Sequence, residues 1–369
     1  MKQKDFDEYI RQVEPSAQES ANAWKTAIGL QAVDGLKPSA YLLETAKQNI
    51  DGDITIDEVR ELLDTYYRSK TIRTEQDYET EEADKVSANI KKILSSKTLA
   101  FNTNGLISVH RRIFEGVFKY AGEVRKFDIT KKEWVLKGDT VRYLNWEDIR
   151  RAVDFDIQQE REFSYKGLSD EEKVKHICRF VSGLWQIHPF REGNTRTTAV
   201  FTIQYLRSIG YKVNNEMFAD YSWYFRNALV RANYKNSALD VDYDYSFLER
   251  FFQNLLMGTK HELKNRYLVI AAPDGWSAQN DTREIKNDTH NAENDTQSLE
   301  NDTHISDIPK KAELDKWIEI QIRKNPKITT EKLASMSQRS IITIKRYNAK
   351  LDNIRFVGSG FSGHWDVID

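Results

Sequence analysis

The chain has one cysteine, Cys178, among 369 residues. It can form no internal disulfide, which suits a reducing compartment. Cys178 lies on the apolar side of a helical stretch and is read as core packing rather than as a reactive thiol. No apolar run approaches the roughly 20 residues of a membrane span, and the opening MKQKDFDEYI lacks a signal-peptide core. An excess of one charge is missing too. The 55 Lys and Arg against 57 Asp and Glu leave a net charge of −2, which says little about partners. The expectation is a cytoplasmic, bacterial protein with no membrane partner. What the chain does have is 39% hydrophobic and 11% aromatic residues, enough for packed helical cores. Its length suits about two or three domains.

The most informative stretch is His188 to Phe201, HPFREGNTRTTAVF. The run before it, Val174 to Ile187, has apolar residues at helical spacing, and Thr197 to Leu206 reads as a second helix. Glu192-Gly193-Asn194-Thr195 is then a tight loop feeding a helix start. Unpaired backbone N–H groups and the helix dipole make such a start a phosphate site. His188, at the end of the first helix, could take a proton from an attacking hydroxyl. Glu192, the only carboxylate in the loop, suits Mg²⁺, which takes one or two carboxylates plus phosphate oxygens. Arg196 could grip a phosphate with its fork. Gly193 permits close approach of the backbone, and Asn194 offers a donor and an acceptor. Pro189 and Phe190 are read as stiffening the loop.

This ordered set resembles the Fic motif, His-x-Phe-x-(Asp/Glu)-Gly-Asn-Gly-Arg-x-x-Arg, at His188, Phe190, Glu192, Gly193, Asn194 and Arg196. The resemblance extends over roughly residues 65 to 260. HRRIFEGVFKYAGEVR, from His110 to Arg125, is similar to the helix and Ala-Gly-x-x-Arg turn that precede the Fic core. Lys131 to Leu144 sits where Fic proteins carry a β-hairpin flap that clamps the target's side chain. FRNALVRAN, from Phe225 to Asn233, resembles the segment that cradles the nucleobase. The resemblance implies transfer of AMP from ATP to a Ser, Thr or Tyr hydroxyl of a protein, auto-modification included. It makes His188 the general base, Glu192 the Mg²⁺ ligand, and Asn194 and Arg196 the phosphate holders. Gly193 and Thr195 belong to the anion cradle, and Phe225 and Asn233 become adenine contacts.

Two motif positions depart. Thr195 replaces a Gly but keeps its N–H. Ala199 replaces the final Arg, which in the family binds terminal phosphates. Losing that cation is worth about 1.5–3 kcal/mol of nucleotide binding, the size of a charge-assisted hydrogen bond. Lys131, Lys132 and Arg142 are candidates to compensate. Ala23 to Tyr67 reads as two or three short helices punctuated by Gly35, Pro38 and Gly52, with Thr55 and Glu58 as a capping box. It resembles the antitoxin-like domain that blocks the ATP site in one Fic class through a Glu paired with the final Arg. The matching Glu position holds Asp34. With Asp34 and Ala199 both altered, the expectation is that this clamp is absent and the N-terminal domain mainly structural.

The expected architecture is mainly α. An N-terminal helical domain (1–67) precedes a Fic core with a small β-hairpin flap (68–262), a linker (263–308) and a winged helix-turn-helix (309–369). The linker carries four Asn-Asp-Thr repeats, starting at Asn280, Asn287, Asn294 and Asn301, a seven-residue period. Its seam is too polar for a strong coiled coil, though it leaves a homodimer open. In the last block, Ile354 to Val357 and His364 to Val367 read as a hairpin behind three helices. Residues 310–369 hold 12 Lys and Arg against 7 Asp and Glu. Gln338, Arg339, Thr343, Lys345 and Arg346 would face outward on a recognition helix. DNA and protein remain equal candidates for its partner. The alternative to an enzyme is a regulatory or DNA-binding protein whose weakly active or inactive Fic core senses nucleotide.

Overall fold

The computed structural model describes residues 1–271, apart from 97, 214 and 215, and parts of 314–367. Four helices come first: α1 (Gln3–Gln12), α2 (Gln18–Gly29), α3 (Ala40–Asp51) and α4 (Ile56–Ser69). The punctuation expected from sequence is where the helices stop. Gly35 ends the 3₁₀ turn Leu30–Asp34 that prolongs α2, at φ 71°, and Gly52 ends α3 at φ 87°. Both need the left-handed region that glycine enters without penalty. The capping box is present as well: Glu58 accepts from the Thr55 N–H at 2.6 Å, and Thr55 Oγ1 from the Glu58 N–H at 3.2 Å.

Next come α5 (Glu75–Leu94), α6 (Thr103–Phe114), α7 (Ile149–Glu162), α8 (Asp170–Ile187), α9 (Asn194–Ser208), α10 (Glu216–Asp220), α11 (Ser222–Ala232) and α12 (Ser246–Met257). α5 is the hinge of the packing. Its Ala88 belongs to the apolar cluster of Trp24, Leu42, Val59 and Leu63. Its Val86, Ile90 and Ile93 belong to the larger core of α6, α8, α9, α11 and α12. Asp84 on α5 fastens the N-terminal helices, accepting from the Ser39 N–H at 2.8 Å and the Tyr67 hydroxyl at 2.6 Å. Burial pushes its carboxyl up to about 6. α9 is apolar or buried all round, from Asn194 to Leu206. It is therefore the central helix, and its first turn is held to within the rigidity of the core.

The hairpin flap expected at 131–144 is not formed. The segment has no strand. Instead, Trp134–Leu136 makes a 3₁₀ turn, followed by Lys137 at φ 52° and Gly138 at φ 87°. The Glu133 and Gly138 N–H groups bond Asp139 O and Glu133 O at 2.9 and 3.0 Å. Val135 and Leu136 are buried at 0% exposure. The backbone groups are spent inside a tight turn because adjacent apolar residues dive together into the core, where a strand would send them to opposite faces.

The chain divides into two compact units, Met1–Asp295 and Thr296–Asp369. In the second, α13 (Leu314–Lys324) buries Leu314, Ile318 and Ile322 with Ile328, Leu333 and Ile344. Two strands, β1 (Ile354–Val357) and β2 (His364–Val367), pair antiparallel with Phe356 opposite Trp365. This is the hairpin expected from sequence. Most of the two helices expected between α13 and β1, including Gln338, Arg339, Thr343, Lys345 and Arg346, lies outside the described residues, as do the four repeats.

Candidate functional site

The site is built where α8 stops and α9 starts. α8 begins at a Ser169–Glu172 capping box and ends at His188, which takes the left-handed conformation at φ 50°. That turn points the chain back, and five residues later Gly193, at φ 74°, starts α9. A side chain at Gly193 would run into the Phe114 ring, so glycine is required here twice over. No side chain caps α9. The first-turn amides of this helix, at the positive end of its dipole, thus take no capping side chain.

Two side chains hold the loop from outside and a third from within. Arg125, with no exposed side-chain surface, donates to His188 O at 2.8 Å, Phe127 O at 2.7 Å and Ile187 O at 3.2 Å, and also to Leu144 O. It satisfies the last carbonyls of α8, which a helix end leaves orphaned. Its own N–H bonds Pro189 O at 2.9 Å. His110, on α6, accepts from the Gly122 N–H at Nδ1, 2.8 Å, so its proton is on Nε2, which donates to Glu192 O at 3.1 Å. Its ring stacks on Phe190 at 3.8 Å between centroids. Burial, then the nearby Arg196 charge, hold His110 down to about 4, against the opposing pull of its bond to Glu192 O. Asn194 closes the loop from within, accepting from the Phe190 N–H at 2.8 Å and donating to Phe190 O at 2.7 Å.

His188 itself is 3% exposed. Its Nδ1 lies 3.3 Å from Trp185 O, while Nε2 is buried with no partner. Burial first, then the Lys131 charge, keep the imidazole neutral far below its ordinary range. A proton on Nδ1, shared with Trp185 O, leaves a lone pair on Nε2. That is the tautomer a general base needs. Tyr143 roofs it at 4.2 Å between ring centroids. The Tyr143 hydroxyl donates to Glu133 Oε1 at 3.1 Å, and Arg226 pairs with Glu133 Oε2 at 2.7 Å.

Glu192 carries a half-exposed carboxylate whose ion-pair partner is Lys131 Nζ, at 3.3 Å. Among the described residues no group of three or more His, Cys, Asp or Glu could hold a metal alone. One open carboxylate beside an anion cradle suits Mg²⁺ arriving with a phosphate ligand, since that ion keeps waters and phosphate oxygens in its shell. Thr195 Oγ1 accepts from Trp185 Nε1 at 2.9 Å, so the departure from Gly anchors α9 to α8. Ala199 is fully buried in the core.

Arg196 is turned inward, 2% exposed, above the Phe114 ring at 4.9 Å. Its guanidinium meets Asp34 at 2.8 Å, Glu82 at 2.8 Å and Gln31 Oε1 at 3.0 Å. The clamp whose absence was expected, between Asp34 and position 199, has no cation at Ala199, but Asp34 does contact the loop. Asp34 reaches the first motif arginine instead of the missing one, because the 3₁₀ turn after α2 ends beside α9. The two residues expected to contact adenine lie deeper in the packing. Phe225 is fully buried, packed on Phe218, Phe251 and Phe252, as a core residue of α11. Asn233 ends α11 and spends its amide on Ser182 Oγ at 2.9 Å and Leu229 O at 2.9 Å. Phe225 is closed off by its packing, and the Asn233 amide nitrogen is already taken. The fold does bring His188, Glu192, Gly193, Asn194, Thr195, Arg196 and Asp34 together. His110, Arg125, Gln31, Glu82 and Arg226 join them. His110 and Arg125 stand at the ends of a stretch recognisable in sequence, whereas Gln31 and Glu82 had no local signal.

Residues 100–206 match the model of the Fic/DOC family. Over 115 residues the chain is 30% identical to protein adenylyltransferase VbhT of Bartonella schoenbuchensis, covering 31% of this chain and 23% of that protein. It is 27% identical over 119 residues to the probable protein adenylyltransferase Fic of Salmonella typhimurium, covering 32% and 56%. The chain thus spans 23% and 56% of the length of these curated relatives. A solved N-terminal FIC domain of the Bep8 protein of Bartonella sp. 1-1C overlaps 50% of this chain and 88% of its own, at 20% identity and a TM-score of 0.40. That overlap is too loose to add to the family match. No helix among the described residues is long and apolar enough to cross a membrane.

Proposed function

We propose, from the premise that residues 100–206 are a Fic/DOC domain, that this chain is a protein adenylyltransferase. The observation that carries the reading is the neutral, buried His188 with an unpartnered Nε2 beside the uncapped start of α9. The relatives' names supply the transferred group.

In the proposed reaction, ATP seats its phosphates on the first-turn amides of α9. The hydroxyl oxygen of a Ser, Thr or Tyr on a protein target attacks the α-phosphorus. Its proton passes to His188 Nε2, the new O–P bond forms, and the α–β bridging bond breaks with its electron pair leaving on pyrophosphate. Glu192 would hold Mg²⁺, which neutralises phosphate charge when bound. Arg125 and His110 keep the loop in place, so orientation is settled before substrate arrives. Tyr143 and the 131–144 turn exclude water from the imidazole, and the target's side chain must enter past them.

A second reading has its own observation. Arg196 is saturated by Asp34, Glu82 and Gln31, which favours a core that senses nucleotide with little turnover. The C-terminal unit would then be the output, binding DNA or protein as a winged helix. Incubation with Mg²⁺ and α-labelled ATP, alone and with cell lysate, separates the two. Label should appear on protein, as an AMP adduct by mass spectrometry, and vanish in His188→Ala. Unlabelled protein under all conditions, with ATP still bound, selects the sensor.

A further inference from the structure

Arg196, the arginine that the phosphate site appeared to own, is spent. Its fork has three acceptors and 2% exposure. Three more arginines of the neighbourhood are occupied as well. Arg125 serves four carbonyls. Arg226 is paired with buried Glu133 and lies over the Trp223 ring at 5.2 Å. Arg191 lies over Tyr120 and Phe127 at 5.2 and 5.6 Å. Position 199, one turn into α9, is a buried alanine.

Lys131 differs from all of these. Its Nζ is 3.3 Å from Glu192 Oε2, and the two side chains are 30% and 50% exposed. Its charge is also the one that, after burial, bears most on His188. One half-exposed cation is therefore paired with the open carboxylate, and its charge is felt by the imidazole. The segment behind it is anchored: the Lys131 N–H bonds Thr140 Oγ1 at 3.3 Å, and Glu133 ties the turn to α11 through Arg226 at 2.7 Å. A half-exposed Lys–Glu pair opens at little cost, so Glu192 and Lys131 can exchange each other for Mg²⁺ and phosphate.

We propose that Lys131, delivered by the 131–144 turn, is the phosphate-gripping cation of this site while Arg196 is held inward, and that the Lys131–Glu192 pair is the resting form that a magnesium-bound polyphosphate opens. This rests on the proposed adenylyl transfer only for the identity of the nucleotide. Lysine supplies a point charge to phosphate where no planar fork is free. As charge builds on the departing pyrophosphate, Lys131 is placed to balance it.

The test uses the full chain in a His188→Ala background, so that ATP is not consumed, with Mg²⁺–ATP titrated by calorimetry. Lys131→Met should weaken binding at least tenfold, Lys131→Arg should stay within about threefold of the parent, and Lys126→Met, an exposed control, should change nothing. Binding by Lys131→Met within threefold of the parent overturns the proposal, as does a parent that binds no ATP. If Lys131 served only to hold Glu192, Lys131→Met would bind Mg²⁺ more tightly and ATP no less, which also overturns it. Label transfer by the chain with His188 intact is scored separately. Loss of ATP binding in Lys131→Met without any transfer by that chain upholds Lys131 and removes adenylyl transfer. Full transfer with Lys131→Met binding normally does the reverse.

Discussion

Asp34→Asn probes how firmly the N-terminal helices hold Arg196. In the structure the guanidinium must give up Asp34 and Glu82 before it can meet any phosphate. The Asp34 side chain is 37% exposed, so its pair is screened by solvent. Such a pair is worth about 0.5–1 kcal/mol, which converts to about two- to fivefold in an equilibrium constant. Glu82, 22% exposed, keeps Arg196 inward after Asp34 is gone. The expected result is a two- to fivefold tighter Mg²⁺–ATP affinity in Asp34→Asn, and a matching rise in labelled product at ATP levels below saturation. Glu82→Gln should behave differently. It leaves a nearly buried cation with one partly exposed carboxylate, and should cost about 3 kcal/mol in urea unfolding, the low end for breaking a buried pair. Calorimetry and urea titration of both variants read these numbers. An Asp34→Asn affinity equal to wild type would mean that Arg196 never needs to turn. A rise beyond about thirtyfold would make Asp34 the whole lock and refute the assignment of Glu82.

Further outcomes follow from the same geometry. His110 is held at about 4 by burial, against about 6.5 in the unfolded chain. The unfolded state therefore binds the extra proton between those values, so His110's contribution is complete above about pH 6.5 and declines as pH falls toward 4. The stability gap between wild type and His110→Gln should narrow by about 2 kcal/mol from pH 7 to pH 5, measured by urea unfolding at both; a constant gap would place the ring in contact with water. Asp84 runs the other way: its carboxyl is raised to about 6, the folded state binds the extra proton, and stability tied to it is gained as pH falls from about 6 to 4. Asp84→Asn should remove that gain. His188 is depressed well below its ordinary range, so the rate of label transfer should show no inflection near pH 6.5, and an inflection there would show a solvated imidazole. Gly193→Ala, at φ 74° and against the Phe114 ring, should lose label transfer. It should also destabilise by about 2–4 kcal/mol, combining left-handed strain with overpacking, in the same unfolding assay.

Local chemistry written in consecutive residues determined a good part of this protein. The stop of α3 at Gly52 and the Thr55–Glu58 box each depend on neighbours within a few positions. Short-range sterics and hydrogen bonds act there whatever the rest of the chain does. The helical class follows from apolar spacing in the same way. Only tertiary packing decided the use to which the polar side chains were put. Arg196 is turned away from the cradle by Asp34 and Glu82, which arrive from 162 and 114 positions earlier in the chain. Phe225 is core and Asn233 a cap because α11 packs on α8 and α12. The 131–144 turn forms no ladder because Val135 and Leu136 enter the core together. A charge or an amide takes the partner that folding places nearest, and burial sets how strongly it holds, so its role is a property of distance in space rather than of spacing along the chain.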